Sequence, residues 1–170
     1  MAHSEPPLRP FSGGDVYLPT GAEAADFDRL AIDGLGVPHY TLMENAGRSA
    51  ALVLDRLFPR GRVTALVGAG NNGGDALVVL RNLAAWGREV RGILVADRGE
   101  PETVLHSWDL PLVRDGDLGD DHGAWDGALA GSGVVVDGLL GTGLSGPPRE
   151  RQVRAIEAAN RSGIPILALD

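Results

Sequence analysis

The chain contains no cysteine, which excludes disulfides, thiolate catalysis and Cys-ligated metals. It contains no lysine either: all 15 basic residues are arginines, and they are scattered along the sequence. Set against 23 acidic residues, they leave a formal net charge of −8. Nucleic-acid phosphates are bound by clustered Lys and Arg, so this balance argues against a nucleic-acid partner. No apolar run approaches the ~18 residues that a membrane span requires. The opening MAHSEPPLRPFSGGD is polar and Pro-rich, without the apolar segment of a signal peptide, and the expectation is a cytoplasmic protein. Histidine is sparse. His3, His39, His106 and His122 fall in weakly patterned segments and read as surface residues, with no His–His spacing for a transition metal.

What is present is ordinary for a globular domain. With 170 residues, 44% hydrophobic and 22% charged, the chain is long enough to bury one core. Residues 1–19, rich in Pro, Gly and Ser, read as a flexible arm, and 20–170 as one domain. Thr20 and Glu23 have the spacing of a capping box, opening a helix that Gly34 and Gly36 end. A second helix is expected from about Thr41 to Leu57, with Leu42, Ala46, Ala50, Val53 and Leu57 on its apolar side and Pro59 as its stop. The period then changes. Strands are expected at 62–68, 89–96, 133–141 and 164–170, with helices at 75–87 and 147–163 between them. Residues 98–132 give a helix near 101–109, a short strand near Leu112 and a polar Asp/Gly stretch. Alternating strands and helices imply parallel βαβ units: a three-layer, Rossmann-like α/β fold with a mainly parallel sheet, preceded by two helices. Trp86, Trp108 and Trp125 read as core and surface anchors.

Three stretches carry unusual chemistry. In VGAGNNGGDALVV (67–79), Gly68, Gly70 and Gly73 fit G-x-G-x-x-G between a strand and a helix, and Asp97 follows the next strand. The glycines serve either a tight turn or a dinucleotide. Asn71 and Asn72 add amide donors and acceptors beside the backbone N–H groups of Gly73 and Gly74, where the helix N-terminus suits an anion. Asp75 is either the N-cap of that helix or a group that binds a hydroxyl or moves a proton. In VVVDGLLGTGLSGPP, Asp137 follows three valines, where a carboxylate is costly unless paired. It either holds its own loop or, with an Asn carbonyl of the first loop, binds a hard alkali or alkaline-earth cation. In TLMENAGRSAA (41–51), Ala46, Gly47, Ser49 and Ala50 form a small-residue face. Close helix packing, with Asn45 satisfying a buried loop, is favoured there over ligand contact by Glu44 and Asn45.

Taken in order and spacing, LMENAGR, VGAGNNGGDALVV, VVVDGLLGTGLSG and the final ILALD resemble the NAD(P)HX epimerase family, the YjeF N-terminal domain that includes the apolipoprotein A-I-binding protein. The resemblance runs from about residue 20 to the end. It implies a homodimeric enzyme that interconverts the R and S epimers of hydrated NADH or NADPH (NADHX, NADPHX). A dehydratase specific for the S form, separate or fused after residue 170, then restores the cofactor. Carried over by motif, Asn71, Asn72, Gly73, Gly74 and Asp75 would bind substrate. So would Gly141, Thr142, Gly143, Leu144, Ser145, Gly146 and Pro147 of the second loop, and Asp170. Asn72 and Asp137 would be potassium ligands. Epimerisation through loss and return of water needs an acid–base group, for which Asp75 and Asp170 are the candidates in either order, with Thr142 assisting. Two departures stand out. Ala76 replaces the family's usual Gly, and the sequence stops at Asp170, before the family's Pro-Ser-Gly loop, so it reads as a truncated domain. Two other readings remain open: a non-catalytic binding module of the same fold, and an NAD-dependent dehydrogenase built on Gly68, Gly70, Gly73 and Asp97.

Overall fold

The computed structural model describes residues 19–98, 103–143 and 146–170. The expected arm up to residue 18, and Leu144 and Ser145 of the second loop, lie outside the described residues.

The first helix, α1 (Gly21–Arg29), is capped as its spacing predicts. Thr20 Oγ1 accepts from the Glu23 N–H at 3.3 Å, and the Thr20 N–H donates to Glu23 Oε2 at 2.8 Å. It runs into a π-turn at Leu30–Gly34, and no residue of either segment is buried. The second helix, α2 (His39–Leu57), buries Gly47, Ala51 and Leu54, with Met43 and Phe58 packed alongside. This corrects the expected stripe. Of its members, Val53 and Leu57 face outward and Ala46 is exposed. The period was read correctly, but the helix is turned by about one residue, because Gly47 is where α2 must approach its neighbour. A Cβ there would lie 2.5 Å from Val78 and 2.8 Å from the Asp75 carbonyl oxygen of the next helix. Asn45 is exposed, so it satisfies no buried loop. Glu44 instead pairs with Arg81 across the two helices.

The rest of the chain alternates. β1 is Arg62–Val67, α3 Asn71–Ala85, β2 Val90–Leu94, β3 Leu112–Arg114, α4 Asp115–Leu118, α5 His122–Leu129, β4 Ser132–Gly138, α6 Glu150–Ser162 and β5 Ile166–Ala168. The strands form one parallel sheet in the order β3-β2-β1-β4-β5. Strand alternation divides the core between its two faces. Val63, Ala65, Val67, Val134 and Val136 pack with α2 and α3; Leu66, Val135, Trp125 and the alanines of α6 fill the other side. Three layers result, as expected. Removing a Leu or Val side chain from water contributes about 1.5–3 kcal/mol, so these two clusters dominate stability.

Two expectations fail between β2 and β4. The helix near 101–109 is a single 3₁₀ turn, Thr103–Leu105, with 101 and 102 outside the described residues. The polar Asp/Gly stretch forms α4 and α5. Asp121 caps α5 by accepting from the Gly123 N–H at 2.8 Å, and Trp125 anchors it, 2% exposed, with Nε1 donating to the Gly119 carbonyl at 3.0 Å. Among the described residues no helix is long and apolar enough to cross a membrane.

Candidate functional site

Ligands of open parallel sheets bind beyond the carboxyl ends of the strands, where successive connections diverge. From β1 the chain steps outward through β2 to β3; from β4 it steps the other way to β5. The divergence lies between β1 and β4. The two glycine-bearing turns singled out in the sequence follow these two strands.

The first turn is shorter than expected. α3 begins at Asn71, not at Asp75, so Asn71, Asn72, Gly73 and Gly74 form its opening turn and Gly70 is the N-cap. Asp75 is therefore not the N-cap; that reading is overturned. The glycines permit close approach. A Cβ on Gly68 would collide with the Leu139 carbonyl, and one on Gly73 with the Gly68 carbonyl and the Arg98 guanidinium. Gly70 has open space around it, so its glycine is not a packing requirement.

The two turns are stitched together. The Gly68 N–H donates to the Gly138 carbonyl at 3.1 Å, and Asn72 Nδ2 donates to the Leu140 carbonyl at 2.7 Å. Asp170, just past β5, accepts from the Thr142 N–H at 2.6 Å through Oδ2. That oxygen would lie 2.7 Å from a Cβ on Gly141, so only glycine admits it. From the opposite side, α1 reaches the same loop: a Cβ on Gly21 would be 3.2 Å from Thr142 Cβ.

Asp75 faces this assembly half-buried, and among the described residues it has no hydrogen-bond donor. Burial, with the Asp170 charge behind it and Asp28 adding a little, raises its carboxyl to a pKa of about 6; the nearby His39 opposes the shift. A carboxyl near 6 exchanges its proton close to neutral pH, as an acid–base group must. Asp28 and His39 were missed in the sequence because they lie on α1 and at the start of α2, far from either turn.

Asp137 is half-buried, with Oδ1 accepting from the Leu139 N–H at 3.0 Å, so the loop-holding reading is correct as far as it goes. Its second carboxylate oxygen and the Asn72 side-chain oxygen make no hydrogen bond among the described residues and are the oxygens that could ligate a cation. Among the described residues no group of three or more His, Cys, Asp or Glu is placed to hold a metal. Oxygen ligands of this kind suit an alkali or alkaline-earth cation better than a transition metal. Of the remaining sequence-derived residues, Gly143, Gly146 and Pro147 are exposed at the loop's outer side. His39, His106 and His122 are exposed as expected.

Asp97, exposed just beyond β2, is engaged in an ion pair rather than standing alone as a ribose-reading acid. Arg151 Nη1 donates to it at 3.2 Å while Nε of the same guanidinium holds the buried Asp115 at 2.6 Å. The Arg151 hydrogen bonds hold the Asp115 carboxyl below the usual range.

A parallel sheet in this order, with two stitched turns at its divergence, defines a Rossmann-like α/β protein. The known proteins it matches narrow this. The family described as YjeF-related protein N-terminus matches residues 39–170, and the chain belongs to that family. An NAD(P)H-hydrate epimerase of Rhodopirellula baltica is 38% identical over 149 residues, covering 85% of this chain and 60% of its own length. A bifunctional NAD(P)H-hydrate repair enzyme Nnr of Hyperthermus butylicus is 41% identical over 145 residues, which is 80% of this chain but 26% of that protein. The crystal structure of the yeast protein ynu0 (YNL200c) superposes with a TM-score of 0.77 at 26% identity, covering 91% of this chain and 70% of that one. The chain thus spans about 60% of the Rhodopirellula baltica epimerase and a quarter of the bifunctional enzyme.

Proposed function

We propose that this chain epimerises hydrated NADH or NADPH, interconverting the R and S forms. The observation that carries the reading is Asp75, half-buried and protonating near neutral pH, beside a second turn that Asp170 fastens. The names of the related epimerases support it.

The chemistry follows from these positions. Asp75, protonated, gives its proton to the hydroxyl of the hydrated ring. The C–O bond breaks, water leaves, and the adjacent ring nitrogen donates its lone pair to the carbon. The resulting cation is stabilised by the negative charge of Asp170. Water returns to the other face of the ring, and its proton is relayed through water back to Asp75, so atoms and charge balance. The sequence left the two carboxylates interchangeable. The half-buried carboxyl of Asp75, with its pKa raised to about 6, supports giving it the mobile proton, while Asp170 is engaged by the Thr142 N–H. Asn71, Asn72, Gly73 and Gly74 offer amides at the start of α3 to the anionic part of the substrate. Gly141, Thr142, Gly143, Gly146 and Pro147 would line it from the second turn. Asn72 and Asp137 would hold a potassium ion, which would supply fixed positive charge near the nucleotide.

The active form is a homodimer. Phe27 (60% exposed), Leu30, Leu35 (75% exposed), Tyr40, Leu52, Val53 and Leu57 leave the outer side of α1 and α2 apolar, which suits burial against a second copy. The expected setting is the cytoplasm, with an S-specific dehydratase consuming the product. A coupled assay tests the reaction: mixed NADHX epimers are supplied to an S-specific dehydratase with and without this protein in potassium buffer. The slow phase set by spontaneous epimerisation should vanish. Its persistence at every protein concentration refutes the assignment.

A further inference from the structure

Arg98 plays no part in the chemistry above, and its sequence context gives it no motif. It follows β2, yet its side chain crosses to the turn between β1 and α3. Nη1 donates to the Gly68 carbonyl and, at 3.0 Å, to the Gly70 carbonyl, 28 residues earlier in the chain. The guanidinium lies against the opening turn of α3: a Cβ on Gly73 would collide with Nη1, and one on Gly74 would stand 3.6 Å from Nη2. The absence of a side chain at Gly73 is what lets it lie there; at Gly74 a Cβ would only be in ordinary contact with it.

The placement is electrostatically unusual. A helix N-terminus carries partial positive charge and disfavours a neighbouring cation. Against that, Arg98 makes charge-assisted bonds to two carbonyl oxygens of the turn. The carbonyl of Gly70 also accepts the Gly74 N–H at 3.2 Å, and the Gly68 N–H donates to Gly138. One side chain thus bears on the oxygens of the same turn whose amides open α3 and join it to the second loop.

We propose that Arg98 is a positioning residue of the substrate site, fixing the β1–α3 turn so that the first amides of α3 and Asn72 are presented in register with the second loop. This rests on the reading of that crevice as the substrate site, and the residue acts through the turn rather than on the reacting atoms.

The Gly68 and Gly74 amides, both hydrogen-bonded, are the reporters. Hydrogen–deuterium exchange on the full chain should show them exchanging about tenfold faster in Arg98→Ala than in the wild type, with the exchange of β4 unchanged. Methylguanidinium added to Arg98→Ala should slow them again. In the coupled assay the same variant should raise KM about tenfold while kcat stays within about twofold, the pattern of lost binding geometry rather than lost chemistry. Arg98→Lys keeps the charge and the stem. Its ammonium lacks the planar fork, so it should show the same faster exchange to a smaller degree, and it serves if the alanine variant does not fold. Unchanged exchange at Gly68 and Gly74 in the folded variants overturns the proposal, as does faster exchange spread evenly over the sheet. A wild-type protein without epimerase activity refutes the reaction instead, and the exchange result still decides Arg98.

Discussion

Asp75→Asn separates the two things this carboxylate does. Folding raises its pKa from 3.8 to about 6, so the folded state binds the proton more tightly than the unfolded chain. The sign follows by linkage. Below the unfolded value of 3.8 the protonated group is fully compatible with the fold; as pH rises through about 6, that stability is lost. The shift of about 2 units corresponds to about 3 kcal/mol at 1.36 kcal/mol per unit. Asp75 is only half-buried, and solvent screening reduces the effect to roughly 1.5 kcal/mol. An asparagine has no charge to desolvate or to set against Asp170. The variant should therefore be more stable than the wild type by roughly 1.5 kcal/mol at pH 8, or about 3–6 °C in Tm for a chain of this size. At about pH 4 the advantage should shrink toward zero. Paired urea or thermal melts at the two pH values read this directly. The epimerase rate should fall by about 10²–10⁴, and the ionisation near 6 should leave its pH profile. A variant destabilised equally at both pH values would refute the reasoning, because it would make Asp75 a structural hydrogen-bonding group.

Other perturbations test separate parts of the description. Trp125→Ala should cost about 3–5 kcal/mol by urea melts, through a cavity between α5 and the sheet and an orphaned Gly119 carbonyl. Val53→Asp combined with Leu57→Asp should shift sedimentation toward the monomer with the secondary structure retained; an unchanged dimer would move the interface elsewhere. Asp137→Asn should abolish any stimulation by potassium over sodium in the coupled assay and lower Tm modestly, since Asn can still accept from Leu139.

The architecture was readable because it depends on period and punctuation. β-branched runs such as VVV in β4, and glycines at Gly87 and Gly163 where φ is 85° and 66°, mark strands and helix ends by local physics. Helix α3 was mistimed by four residues because Asn-Asn-Gly-Gly has poor helix propensity; its helical state comes from contacts to β4 and Arg98 that no local rule contains. Helices α4 and α5 were missed for a related reason. Their short sequences carry little periodicity, and Trp125 and the Arg151–Asp115 pair hold them from a distance. The α2 stripe was misassigned because a helix with apolar residues on two sides does not say which side meets the core. At the site, the turns and the two aspartates were visible as motifs. The elevated proton affinity of Asp75 was not, since it arises from burial and from Asp170, on separate elements.

Helix α1 buries none of its own residues, yet it touches Thr142 and bears Asp28, whose charge reaches Asp75. The element closest to the chemistry on that side is thus among the least anchored in the core. Its detachment is a local opening that costs far less than unfolding the sheet. The expected outcome is that α1 detaches while every strand remains in place, so that the proposed activity is lost at milder heat or denaturant than the fold. A second copy seated on Phe27, Leu30 and Leu35 would close that gap, making the durability of the activity a matter of protein concentration rather than of core packing.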